Sequence, residues 1–146
     1  MAKSYTFLLL IAVFSFGLSA QTTDAPTGRW YTLDDESGER KSVVEITARG
    51  DTYVGKIADI LTARKDAVCE KCSGKQKGRP IKGLTIIKGL EKDGEYWSGG
   101  TILDPTKGSE YKLSVWYEDG NADVLFVRGK HWTGLYRTQT WTRATD

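Results

Sequence analysis

Cys69-Glu70-Lys71-Cys72 is the first place in this sequence where side-chain types and spacing admit chemistry. Two thiols three residues apart can ligate zinc, exchange disulfides with a partner, or pair with each other. A tetrahedral zinc site needs four ligands, and the chain holds no further cysteine and a single histidine, His131. A thioredoxin-like redox motif opens a helix inside a βαβ pattern, which the flanking sequence lacks. In an oxidising compartment a disulfide is the default, and that is the expectation for Cys69 and Cys72.

The remaining candidates are weaker. His131 lies in Arg128-Gly129-Lys130-His131-Trp132-Thr133-Gly134, which reads as a hairpin tip. A Ser–His–acid set needs a nucleophile on a strained turn, and no Gly-x-Ser-x-Gly occurs. Asp34-Asp35-Glu36 offers carboxylates for glycoside hydrolysis or calcium, but adjacent strand residues point to opposite faces and Ser37-Gly38 follows as a turn. Arg49-Gly50-Asp51 spells an integrin-type tripeptide, yet it sits between two strand patterns, where a hairpin turn accounts for it. No catalytic set, cofactor or metal is expected, and the chain reads as a non-enzyme.

The elements that would position these residues are strands. Eight β-type runs are separated by turn residues, near 28–34, 42–49, 52–60, 81–90, 95–103, 109–118, 122–129 and 134–143. Several alternate with the period of two that a half-buried strand requires. Tyr111, Leu113, Val115 and Tyr117 share one face, while Lys112, Ser114, Trp116 and Glu118 share the other. Gly50-Asp51, Asp93-Gly94 and Asp119-Gly120-Asn121 supply tight turns, and Asp104 to Gly108 a longer one. Short links make a meander, and eight strands in a meander remove their edges by closing. The expected fold is therefore all-β, an eight-stranded antiparallel up-and-down barrel. Residues 61–80 break the pattern, and a long Cys-containing loop or a short helix at about 61–68 is expected there. Ile81-Lys82-Gly83-Leu84 recurs as Ile87-Lys88-Gly89-Leu90, read as coincidence within one strand.

Residues 1–20 read as a signal peptide: Lys3, an apolar run from Tyr5 to Leu18, and Leu18-Ser19-Ala20 as the cleavage site. The run is short for a membrane span, which takes about 20 residues. An exported protein, periplasmic or secreted and not membrane-spanning after cleavage, is expected. Residues 21–27 read as a flexible leader and 28–143 as one barrel domain. The charge balance is near neutral, 21 basic against 19 acidic residues, which excludes a general nucleic-acid binder. Residues 64–82 nevertheless carry Arg64, Lys65, Lys71, Lys75, Lys77, Arg79 and Lys82 against Asp66 and Glu70. A solvated loop is the plain reading; a docking patch for an anionic partner or membrane surface is the functional one.

Two resemblances follow from particular residues. Gly28-Arg29-Trp30 resembles the Gly-x-Trp signature of lipocalins, in which the Trp plugs the barrel floor under an arginine from a late strand; Arg137 or Arg143 would be that arginine. Trp30 with Asp34-Asp35, Tyr53 to Ile57, Cys69-x-x-Cys72, Ile81 to Leu84, Trp97 to Pro105, Gly108-x-x-Tyr111 and Thr138 to Arg143 run in the order of an exported bacterial family, the domain of unknown function numbered 2147. That resemblance spans residues 28–143 and implies a lipocalin-like eight-stranded barrel, export, and no catalytic residue.

Barrels of this size are filled by side chains or hold one small ligand. Gly55, Gly99, Gly100 and Gly129 interrupt strands and mark either barrel curvature or room for a ligand. Trp97, Tyr111, Leu113, Val115, Phe126 and Trp141 are read as inward and large. A buried charge needs a partner, so an inward arginine would take Asp34, Asp104 or a ligand head group. The candidate ligand-binding residues are Trp30, Lys56, Trp97, Tyr111, Arg128, Arg137 and Trp141. The leading expectation is a binder of a small apolar or amphipathic (lipophilic) ligand. An envelope or secreted interaction module acting through the basic 64–82 loop is the alternative.

Overall fold

The computed structural model describes residues 25–145; the expected cleavage after Ala20 lies outside them. Eight antiparallel strands follow one another around a closed barrel: β1 (Gly28–Leu33), β2 (Arg40–Arg49), β3 (Thr52–Ile60), β4 (Thr85–Asp93), β5 (Tyr96–Asp104), β6 (Ser109–Glu118), β7 (Asn121–Lys130) and β8 (Tyr136–Arg143). Every sequential pair is hydrogen-bonded, and β8 returns to β1 with Trp30 opposite Arg143 and Tyr31 opposite Thr142. No helix among the described residues is long and apolar enough to cross a membrane.

The strand boundaries follow local chemistry. At one end of the barrel, residues 50–51, 94–95 and 119–120 make two-residue turns, with Gly50, Gly94 and Gly120 at positive φ. At the other end the links are long. Residues 61–84 form an irregular loop containing one 3-10 turn, Gly74–Gln76, so the loop reading holds and no α-helix forms at 61–68. The fourth strand starts at Thr85 rather than near 81, because the chain bends there: Ile81 N–H donates to the Ala67 carbonyl, Gly83 N–H donates to the Ile57 carbonyl, and Gly83 has φ 89°. The two Ile-Lys-Gly-Leu copies thus occupy a turn and a strand. The last strand starts at Tyr136 because Gly134 N–H turns back to the His131 carbonyl.

Three of the four strand glycines answer to strand geometry. Gly99, at φ 77°, is the extra residue of a bulge on β5. A Cβ on Gly100 would lie 2.4 Å from the Lys88 carbonyl oxygen, and one on Gly55 would lie 3.0 Å from Ile87 side-chain atoms. These positions let neighbouring strands approach and curve. Only Gly129 borders open space inside the barrel.

The core divides along the barrel axis. At the end with short turns, Trp30, Trp97 and Leu90 are buried, and Tyr117 packs edge-on to Trp97 with ring centroids 5.5 Å apart. Ala25 and Pro26, expected as part of a flexible leader, are instead tied to this floor. Trp30 Nε1 donates to the Pro26 carbonyl at 3.0 Å, and the Tyr117 hydroxyl donates to the Ala25 carbonyl at 2.6 Å. Phe126 does not fill the interior. Leu125 and Val127 take the inward positions of β7, so Phe126 stacks against Trp116 on the outside.

Candidate functional site

Opposite the floor, the barrel opens into a cavity of about 1040 Å³. Val44, Ile57, Ile86, Ile102, Tyr111 and Trp141 line it, and the loops 34–39, 61–84, 105–108 and 131–135 form its rim. The hollow has a simple origin. The inward positions nearest the mouth carry Thr32, Ile102 and Gly129, where the floor carries indoles.

The polar groups in this cavity are held in place. On β8 the inward positions are Arg137, Gln139 and Trp141. Trp141 Nε1 donates to Gln139 Oε1 at 3.1 Å, and Gln139 Nε2 donates to Asp35 Oδ2 at 3.1 Å. Asp35 also forms an ion pair with the Arg137 guanidinium. The carboxylate thus fixes which way the Gln139 amide points, and it neutralises one charge while leaving the half-exposed guanidinium further donors toward the mouth. The Thr32 and Ser42 hydroxyls share a 2.7 Å hydrogen bond. An apolar wall with a few oriented polar groups is the usual construction of a small-molecule site.

The seven candidate residues separate into three groups. Tyr111, Arg137 and Trp141 line the cavity together. Trp30 and Trp97 belong to the floor, where they are 0% and 1% exposed. Arg143, not Arg137, is the arginine over Trp30, its guanidinium carbon 4.2 Å from the ring centroid. It also donates to the Thr27 and Ala122 carbonyls and to Asp123. Lys56 and Arg128 are on the outer surface. Gly55 and Ile57 face inward on β3, which turns Lys56 outward to pair with Glu45 at 3.5 Å. Arg128 is likewise displaced by Leu125 and Val127, and lies between the rings of Trp116 and Tyr136.

The inward arginine is balanced by Asp35, and neither acid expected for it serves. Asp34 Oδ1 accepts the backbone N–H groups of Ser37 and Glu36 and the Ser37 hydroxyl. These donors, the Ser37 N–H foremost, hold its carboxyl below the usual aspartate range. Asp104 similarly accepts the N–H groups of Thr106 and Lys107. Gln139 escaped the sequence reading, although its signal was there: alternation on β8 places it between Arg137 and Trp141.

Cys69 and Cys72 are joined in a disulfide, so no thiolate stands near the cavity. The bond closes a small ring within the 61–84 loop. Cys69 is fully buried, its N–H donates to the Arg79 carbonyl, and Gly78 N–H donates to the Cys69 carbonyl. His131 Nδ1 lies 2.9 Å from the Thr133 hydroxyl within its own turn. Among the described residues no group of His, Cys, Asp and Glu is arranged to hold a metal.

Comparison with known proteins agrees with this architecture. Curated protein sequences give no match. Among solved structures, HP1028 from the human pathogen Helicobacter pylori, described as belonging to the lipocalin family, matches with a TM-score of 0.70 at 20% identity, over 84% of each chain. That likeness establishes a shared fold. The sequence model of DUF2147, described as an uncharacterized protein conserved in bacteria, matches residues 28–143, the whole of the barrel, and the chain belongs to that family.

Proposed function

We propose that this protein is an exported carrier that holds one small apolar or amphipathic molecule in the mouth half of its barrel. The observation that carries the reading is the cavity of about 1040 Å³, open at one end, with Ile57, Ile86, Ile102 and Trp141 in its inner wall and an oriented Gln139–Asp35–Arg137 line. A drug-sized ligand fits such a volume. Its apolar part would lie against Ile57, Ile102 and Trp141, and its polar head would meet Arg137 at the rim. The lipocalin-like fold is compatible with that use, and the apolar run before Ala20 together with the disulfide supports export.

Native mass spectrometry of protein purified from its own host tests occupancy directly. A bound mass that leaves on denaturation is expected, on a chain beginning at Gln21. Titration of delipidated protein with fatty acids and other lipophiles, followed by tryptophan emission, tests affinity. Trp141 is in the cavity wall and should report an occupant. Ile102→Trp fills the cavity and should weaken binding by roughly tenfold or more, about 1.4 kcal/mol. No adduct and no emission change with any lipophile would defeat the carrier reading.

A further inference from the structure

The cavity does not explain what covers its rim. Six large apolar or aromatic side chains are exposed among the described residues: Leu61, Val68, Tyr96, Trp132, Leu135 and Tyr136. Five of these six lie at the open end, and Tyr96 alone adjoins a floor turn. Trp132 is 86% and Leu135 75% exposed, and both project from the β7–β8 turn. Burial of large apolar side chains drives folding, so two left in water on one tight turn call for another contact.

Asp34, Asp35, Glu36, Glu70 and Asp104 stand at the mouth, and the basic excess there rests on two segments. From Val124 to Thr145 the chain holds no acid, and it holds Arg128, Lys130, Arg137 and Arg143. On the outer face below the tip, Lys130 stands opposite Lys112 on β6 and opposite Tyr136 on β8. Like charges directly opposite each other oppose strand pairing. Across the same rim, every basic residue of 64–82 is exposed.

We infer that the open end of the barrel docks on an anionic lipid bilayer, with Trp132 and Leu135 entering the interface and Lys112, Lys130 and the 64–82 cations resting on the headgroups. A bilayer fits better than a folded partner for a geometric reason. The apolar groups project from two links, β3–β4 and β7–β8, across a hollow mouth from each other, whereas a protein interface buries a continuous, closely packed patch. Indole and phenol side chains are also the ones that favour the membrane interface, and the basic excess of 64–82 with Lys112 and Lys130 attracts anionic lipid. Docked this way, the mouth faces the membrane, and a lipophile passes between bilayer and cavity without crossing water. The docking stands whether or not the cavity is filled.

Vesicles of phosphatidylcholine alone and of phosphatidylcholine with phosphatidylglycerol test it on the whole exported chain. Binding is expected only with the anionic vesicles, with loss at high salt and quenching of Trp132 emission by brominated lipid. Trp132→Ser should remove the quenching and weaken binding roughly tenfold, as expected when one large side chain no longer leaves water. Lys112→Gln and Lys130→Gln should each weaken it about fivefold. All three sites are exposed, so unchanged melting temperatures verify the fold. Ile102→Trp should still bind vesicles, and Trp132→Ser should still bind a soluble lipophile, which separates this test from that of the cavity. Equal binding to neutral and anionic vesicles, or no binding at low salt, overturns the inference. So does self-association that Trp132→Ser abolishes in the absence of vesicle binding, since that would assign the tip to a second copy of the chain.

Discussion

The two ends of the barrel are built from the same eight strands and differ in almost everything else. The floor has two-residue turns, the Tyr117 ring against both Trp30 and Trp97, and an arginine over Trp30. The mouth has long links, a hollow interior and exposed ion pairs. Link length sets part of the contrast. The rest arises from which side chains occupy the inward positions. On the proposed function, stability concentrates at the floor and recognition at the mouth, and substitutions at the two ends should fail in different ways.

The largest effect should come from the floor. Trp30→Ala removes a fully buried indole and the ring beneath the Arg143 guanidinium, and should cost about 3–5 kcal/mol in denaturant unfolding. A loss below about 1 kcal/mol would erase the distinction between the ends. Next comes Gly100→Ala, whose new Cβ would meet the β4 backbone at 2.4 Å from the Lys88 oxygen. We expect a loss of about 3 kcal/mol, at the upper side of the overpacking range. Gly129→Ala at the mouth meets Tyr111 Cβ at 3.3 Å and should cost less than about 1 kcal/mol. If the two glycine variants unfold alike, strand curvature and cavity space have been assigned to the wrong glycines.

Reduction of Cys69–Cys72 should lower stability by about 2 kcal/mol, as the entropy of a four-residue ring suggests, and leave the strands paired. Circular dichroism with and without reductant checks this, and complete unfolding would show that the mouth loop governs the floor. Arg137→Gln should change stability by less than about 1 kcal/mol, because its pair with Asp35 is half exposed. It should nevertheless alter lipophile affinity. An equal loss of both would make Arg137 structural.

The smallest effect concerns pH. The donors around Asp34 depress its folded pKa, so its contribution is present above the unfolded value of about 3.9 and is lost as pH falls through the lower folded value. Carbon-detected NMR titration should find Asp34 still ionised where a free aspartate has begun to protonate. A normal titration would mean that the 34–37 turn is not closed in solution.

Much of this architecture could be read from the sequence, because alternation and turn chemistry are local. Tyr111, Leu113, Val115 and Tyr117 fall on the inward side as their spacing requires. Arg128 and Lys56 are candidates by charge alone, and the parity of Leu125, Val127 and Ile57 turns them outward. The start of β4 depended on hydrogen bonds from Ile81 and Gly83 to residues distant in the chain, which no local pattern encodes. The Asp35–Arg137 pair was equally hidden. It joins the first inter-strand loop to the last strand, and it appears only once the barrel has closed.

The seam between β1 and β8 is registered by two residue pairs, fewer than at any other junction in the barrel. Every other junction is made between neighbours in the chain, whereas this one brings the two ends together. Its reinforcement lies outside the ladder, in the Ala144 N–H to Arg29 carbonyl bond and in Arg143 itself. In kinetic terms, seven hairpins form from local contacts, and closure waits for the most distant pairing of all. The same geometry places Ala25 and Thr145 on one side of the molecule, with the Tyr31 hydroxyl donating to the Thr145 carbonyl. Joining the ends and opening the chain within 61–84 would give a circularly permuted barrel with the same neighbours. Its slow step would then move to a different seam.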